Sequence, residues 1–253
     1  MFCVRMSELI SIIIPTYQHA DSLPSCLHRV LGGTYRNIEV IVVNDGSTDH
    51  TREVLNRYMY DDRFKTIWQE NQGSNAARMT GYRESKGAYL LFCDADVVMD
   101  ANMIETLYEA LQRHPEASYA YSGFRFGWKS FHPVAFDADR LKQHNYIHTT
   151  SLIRREDFPG FDEDVKRLQD WDLWLTMLEQ GKKGVMVPEE LFHVRVDGAS
   201  RIGSAWMPSL VYRLPWKWLG WKPKRLRKYE EAKKIIVRKH HLEDQGDERS
   251  TGE

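Results

Sequence analysis

Three apolar runs, each stopped abruptly by a different kind of breaker, constrain this chain more than any other feature. Leu9-Ile10-Ser11-Ile12-Ile13-Ile14 ends at Pro15, Glu39-Val40-Ile41-Val42-Val43 ends in the turn cluster Asn44-Asp45-Gly46-Ser47, and Leu90-Leu91-Phe92-Cys93 ends in Asp94-Ala95-Asp96. β-Branched runs bounded by turn residues read as strands, and an apolar run cut off by charge reads as a buried one. Between the first two runs, Leu23, Leu27, Val30 and Leu31 recur at helical spacing, and after the second Val54, Leu55 and Tyr58 do so again. Strand, helix, strand, helix implies a parallel sheet.

In an open α/β sheet the ligand lies outside the carboxyl ends of the strands, which is where Asp94 and Asp96 fall. Two carboxylates one residue apart are unfavourable there unless a cation meets them. Mg2+ and Mn2+ take oxygen ligands and are commonly held by one or two carboxylates together with substrate phosphates. Acidic pairs also occur in solvated turns, so this pair acquires meaning only alongside other motifs.

A chain of 253 residues suffices for one large α/β domain and an appendage. No stretch approaches the ~18 apolar residues that span a bilayer, and Met1 to Ser7 lacks the apolar core and cleavage site of a signal peptide. The expectation is a cytoplasmic protein. Cys3, Cys26 and Cys93 are odd in number and scattered, as reduced thiols are. The net charge of −1 hides a division: residues 201–241 hold 12 Lys or Arg against 2 Glu, leaving 23 basic and 34 acidic residues elsewhere. Trp206, Trp216, Trp218 and Trp221 fall in the same basic segment. Tryptophan and clustered cations together suit an anionic membrane surface better than nucleic acid; a solvated basic helix packing its aromatics on the domain explains the same composition. The chain therefore divides into a domain over 1–200, a basic aromatic extension over 201–241 and a tail over 242–253, expected to be disordered because Glu243 to Glu253 has nothing to bury.

Six segments in order carry a resemblance: Pro15-Thr16-Tyr17, Asp45-Gly46-Ser47-Thr48-Asp49, Asn71-Gln72-Gly73 with Ala77-Arg78, Asp94-Ala95-Asp96, Gly160-Phe161-Asp162-Glu163, and Asp170-Trp171-Asp172-Leu173-Trp174. Together the chain resembles the family 2 glycosyltransferases, whose GT-A fold is a Rossmann-like, mostly parallel sheet flanked by helices. The resemblance implies a nucleotide-sugar half over about 8–123 and an acceptor half over about 124–200. It implies an inverting transfer from a nucleotide-diphosphate sugar, UDP-sugar favoured, to a hydroxyl of a glycan or lipid-linked acceptor of the cell envelope. Mn2+ or Mg2+ would assist. A non-catalytic nucleotide-sugar-binding or assembly protein on the same fold is the alternative; no Gly-x-Gly-x-x-Gly follows the first strand to suggest a dinucleotide enzyme.

The same resemblance distributes roles. Pro15, Thr16 and Tyr17 line the nucleotide-sugar site, with Tyr17 beside the base, and Asp45 accepts from a base N–H. Arg78 reaches the nucleotide, Asp94 the ribose and Asp96 the metal. A further Asp that many relatives carry is Val97 or Val98 here. The third metal ligand falls at Asp197 or His193. Asp45-Gly46-Ser47 also reads as a turn leading into a helix cap. On a helix expected from Asp170, residues Trp171, Trp174, Leu175 and Leu178 form one apolar stripe, flanked on opposite sides by Asp170 and Asp172. Geometry alone leaves the two acids equivalent; the resemblance makes Asp170 the general base, with Gln169 in place of the usual preceding Glu. Asp170 also reads as a helix N-cap. Asn145 to Arg155 resembles the strand that follows the donor half.

Overall fold

The computed structural model describes residues 7–195 and 223–242. The first apolar run forms β1 (Ile10–Thr16), followed by α1 (Leu23–Leu31), β2 (Ile38–Asp45), a short α2 (Thr51–Asn56), β3 (Phe64–Gln69), α3 (Ser74–Glu84) and β4 (Tyr89–Phe92). β1 pairs in parallel with both β2 and β4, and β2 with β3, so the spatial order of this block is β3-β2-β1-β4. β1, β2 and β4 read as nearly continuous apolar runs because both faces are covered, whereas the edge strand β3 is partly exposed. Alternate residues of β1 go to opposite sides: Ile12 and Ile14 join one core with Leu23, Leu27 and Val30 of α1, while Ile13 joins a second core on the other face. The thiols of Cys26 and Cys93 meet within the first core, 3.7 Å apart.

The remaining elements of the sheet region are β5 (Val97–Met99), α4 (Met103–Arg113), β6 (Tyr119–Phe126), β7 (Lys129–Phe131), α5 (Ala138–Gln143), β8 (Leu152–Arg154), α6 (Gln169–Glu179) and β9 (Gly184–Val194). Here the sheet becomes mixed. β8 runs antiparallel between β4 and β6, β5 antiparallel to β9, and β7 folds back on β6, while β6 and β9 are parallel. A parallel neighbour needs a long crossover, whereas β6 and β7 are joined by Gly127 and Trp128 alone, in a tight hairpin. The strand expected over 145–155 is confined to Leu152–Arg154. Residues 145–151 are irregular because side chains satisfy their backbone instead, as where Thr150 N–H donates to His148 Nδ1 at 3.0 Å.

A last helix, α7 (Lys224–Lys239), crosses the second core. Its residues Leu226, Ala232 and Ile236 are buried, and Ile236 belongs to the same cluster as Trp171 and Trp174 of α6. The opposite face presents Lys224, Arg227, Lys228, Lys234 and Ile235 to solvent. The four tryptophans of the extension and the expected tail from 243 onward lie outside the described residues.

Candidate functional site

The carboxyl ends of β1, β2 and β4 converge with the start of α6. Asp45 closes β2 and is 3% exposed. Its Oδ1 accepts from Gln69 Nε2 at 2.7 Å and Gln72 N at 2.9 Å, and its Oδ2 from Gly73 N at 2.8 Å. A carboxylate has about four acceptor positions, so one remains on Oδ2. Asp45 thus anchors the Asn71-Gln72-Gly73 loop that opens α3, while the turn after it leads into α2, whose N-cap is His50 and whose Thr51 N donates to Asp49 at 3.1 Å.

Gly81 lets α3 lie hard against β1 and β2: a Cβ there would fall 2.5 Å from Ile13 Cγ2. That approach carries Arg78, one turn earlier, into the interior, where it is 4% exposed. Its Nη2 donates to Asp94 Oδ1 at 2.6 Å, its Nη1 to Asn75 Oδ1 and Gln169 Oε1, each at 3.0 Å, and its guanidinium lies 5.2 Å from the Phe161 ring centroid. One residue therefore ties Asp94, just past the end of β4, to the first residue of α6. Burial opposes ionisation of Asp94, but Arg78, His148 and His19 outweigh it and hold the carboxyl below its ordinary value. Asp96 is half-buried, and its carbonyl accepts from Arg195 N at 2.9 Å. Pro15 is buried within β1, Thr16 is 2% exposed and Tyr17 half-buried beside them. Among the described residues Thr16 Oγ1, His19 Nδ1, Asn44 Nδ2 and Arg78 Nε are buried without a hydrogen-bond partner. Ser22 Oγ, Tyr119 Oη and Thr150 Oγ1 share that state, and such orphaned polar atoms are costly in an interior.

α6 starts one residue earlier than the stripe suggested. Leu168, at φ 56°, is the N-cap, so Asp170 is the second helical residue and not the cap. Asp170 Oδ2 accepts from Asn145 Nδ2 at 2.6 Å and Oδ1 from its neighbour Trp171 N at 2.9 Å. Burial raises its carboxyl above the ordinary value, against the pull of His148 and Arg78. Asp172 faces the other way. It is 3% exposed and meets Lys239 Nζ and His240 Nε2 of the C-terminal segment, each at 2.8 Å. Packing therefore separates two acids that periodicity left equivalent. Gln169, whose supporting role was open, accepts from both Arg78 and Ser74 Oγ at 2.9 Å.

The remaining metal candidates are not gathered at this point. His193 sits on β9 in register with Val98 and Arg125. Burial lowers its pKa, as do Arg125, Arg29 and Arg195, against one carboxylate, Asp100. Asp197 lies outside the described residues. Among the described residues no group of three His, Cys, Asp or Glu is arranged to hold a metal.

Motif reading missed His148, Asn145, Asn75 and His19. The two histidines feel the charge of Asp94, and His148 also that of Asp170; nothing local in the sequence distinguishes them from core residues.

Comparison with known proteins is concordant. The sequence profile of Glycosyl transferase family 2 matches residues 11–161, more than half of the chain. GlyG, a glycosyltransferase of Streptococcus pneumoniae serotype 4, is 43% identical over 109 residues, which is 42% of this chain and only 36% of GlyG. TuaG of Bacillus subtilis, named a putative teichuronic acid biosynthesis glycosyltransferase, is 26% identical over 222 residues, covering 81% of this chain and 87% of TuaG. Among solved structures, S. aureus TarS 1-349 in complex with UDP-GlcNAc superposes with a TM-score of 0.63 at 18% identity, over 75% of this chain and 59% of TarS. The mannosyltransferase PcManGT of Pyrobaculum calidifontis, in complex with GDP-Man and Mn2+, gives 0.62 at 17% identity, over 93% of this chain and 72% of its own. At such identities the structures show a shared GT-A fold.

Proposed function

The chain belongs to glycosyl transferase family 2 and is a glycosyltransferase, and from that premise we propose that it moves a sugar from a UDP-sugar to a hydroxyl of a glycan or lipid-linked acceptor, with inversion at the anomeric carbon. The observation that carries this reading is the Arg78 bridge, which joins Asp94 on the donor side to Gln169 beside Asp170. In this reading the donor half is about 8–123 and the acceptor half about 124–200. Asp45, with Pro15, Thr16 and Tyr17, receives the base at the ends of β1 and β2, and Asp94 the ribose.

Asp170 accepts the proton of the attacking hydroxyl; burial makes its carboxylate a stronger base than an exposed one. Asn145 and the Trp171 N–H fix its orientation. The acceptor oxygen bonds to the anomeric carbon as the bond to the diphosphate oxygen breaks, and Arg78 faces the charge that develops on the leaving group. Hard oxygen donors at Asp96 suit a divalent ion, because Asp94 is already neutralised by Arg78. His193, among three arginines, suits one less well. Mn2+ or Mg2+ held by Asp96 and the donor phosphates would supply further neutralisation of the leaving group.

Support from other proteins is consistent with these assignments: TarS binds UDP-GlcNAc, PcManGT binds GDP-Man with Mn2+, and TuaG is named for an envelope polysaccharide. No helix among the described residues is long and apolar enough to cross a membrane. The basic face of α7 and the tryptophan-rich segment before it are proposed to dock the enzyme on an anionic cytoplasmic membrane surface, where a lipid-linked acceptor is presented. The test is a screen of purified protein with Mn2+ against UDP-, GDP- and dTDP-sugars, measuring binding and slow hydrolysis. UDP-sugars should bind best, and loss of all nucleotide-sugar binding would overturn the proposal.

A further inference from the structure

We infer that His148 donates a hydrogen bond from Nε2 to the sugar being transferred and helps decide which sugar is accepted, a reading that rests on the donor and base assignments just proposed. The ring lies on the irregular segment before β8, the same segment whose Asn145 orients Asp170. Phe124 and Phe192 hold it, with ring centroids 4.9 and 5.1 Å away, and Phe124 in turn is stacked between Phe131 at 4.7 Å and Phe192 at 5.2 Å. An imidazole backed by this aromatic ladder has little freedom to turn.

Its protonation is set by the backbone. Thr150 N–H donates to Nδ1 at 3.0 Å, and a ring nitrogen accepts only when it carries no proton. The proton of the neutral ring is therefore on Nε2. Burial, helped by Arg78, keeps the ring neutral against the attraction of Asp94 and Asp170. Among the described residues Nε2 has no hydrogen-bond partner. The half-buried ring thus offers one fixed neutral donor that the protein itself does not use.

The place of that donor follows from the chemistry. In a direct displacement the anomeric carbon stands between the leaving diphosphate and the attacking oxygen. Asp94 and Arg78 mark the first side and Asp170 the second; Arg78 spans them through Gln169, and His148 lies three residues along the chain from Asn145, which holds Asp170 at 2.6 Å. A group so placed is beside the sugar, not the base or the acceptor's far end. Sites that hydrogen-bond a substrate hydroxyl discriminate strongly against sugars that present none there.

The experiment titrates wild type, His148→Phe and His148→Gln, each with Mn2+, against UDP, UDP-glucose, UDP-galactose, UDP-N-acetylglucosamine and GDP-mannose, and measures kcat/KM with whichever donor turns over. UDP affinity should stay within about 3-fold in all three, while the preferred nucleotide-sugar loses about 10-fold or more in affinity or kcat/KM in His148→Phe. His148→Gln, which keeps an N–H donor, should recover part of the loss, and the preference among sugars should narrow in His148→Phe. Unchanged sugar affinity and preference in His148→Phe would overturn the assignment, as would an equal loss of UDP, which marks a structural ring. A wild type that binds no nucleotide at all overturns the donor reading and this inference with it.

Discussion

Replacing His240 by Ala should loosen the clamp that holds α7 to α6. Two hydrogen bonds are lost, from His240 to Asp172 and to Glu179, each 2.8 Å long. Because both ring nitrogens face acceptor-only carboxylates, the ring is an imidazolium. The two bonds differ in weight: the Asp172 side chain is 4% exposed and that of Glu179 is 55% exposed. A hydrogen bond to a buried charge contributes about 1.5–3 kcal/mol, and an exposed ion pair below about 1 kcal/mol. Asp172 keeps Lys239 at 2.8 Å, so the penalty stays under the roughly 3–5 kcal/mol of a wholly unpaired buried charge. The expected loss is about 3 kcal/mol, equivalent to a fall in Tm of roughly 6–12 °C for a domain of this size.

The pH dependence sharpens the test. Burial opposes protonation of His240, but its bonds to Asp172 and Glu179 outweigh that and raise its pKa above 6.5. The stabilisation is therefore complete below 6.5 and disappears as pH rises through the higher folded value. His19 and His148, held neutral by burial, have lowered values and act in the opposite sense, losing stabilisation as pH falls. They are common to wild type and variant and cancel in the difference. Urea unfolding followed by the fluorescence of Trp171 and Trp174, both buried in the core that α7 crosses, should show the variant's deficit at about pH 6 and a smaller one at about pH 9. A deficit below about 1 kcal/mol, or one that grows with pH, would refute the clamp.

The other predictions concern chemistry and location. Asp170→Asn should lower kcat by about 10²–10⁴-fold with UDP affinity retained, whereas Asp172→Asn should reduce stability and leave the kcat of the folded enzyme within a few-fold; kinetics of both variants beside urea unfolding separate the roles. The wild-type kcat should fall on acidification through a pKa above 3.8, since the base must be ionised and burial raises its value. Asp96→Asn should abolish the Mn2+-dependent part of UDP-sugar affinity seen by calorimetry. Vesicle flotation should require anionic lipid, weaken with added salt, and drop on replacing Trp216, Trp218 and Trp221 by Ala; equal recovery on neutral vesicles would leave a soluble acceptor as the better account.

Much of the donor side was legible because its signals are local. A β-branched run, a proline stop and an i, i+3, i+4 stripe each report on a few consecutive residues, and β1, α1 and β2 follow them closely. Arg78 was nameable from its motif, but its burial depends on Gly81 touching Ile13, a contact between distant parts of the chain. Where side chains took over backbone bonding, local pattern misled: the strand at 145–155 is short, and α6 begins at Gln169 with a left-handed Leu168 that no propensity favours.

By itself the sequence determined the opening order β1-α1-β2-α2, the family, and the placement of Asp45, Asp94 and Asp96 at strand ends, because apolar periodicity and chain breakers act within a turn or a strand. Tertiary structure decided which acid of α6 faces the site. Asp172 is claimed by Lys239 and His240, 67 and 68 residues away, which leaves Asp170 to face Arg78 and His148. It also decided that Arg78 reaches Gln169, 91 residues on, and that Asn145 reaches Asp170, 25 residues on. The physical reason is one of range: a helix shows two flanks in its sequence, but only the neighbour packed on one of them makes the flanks different.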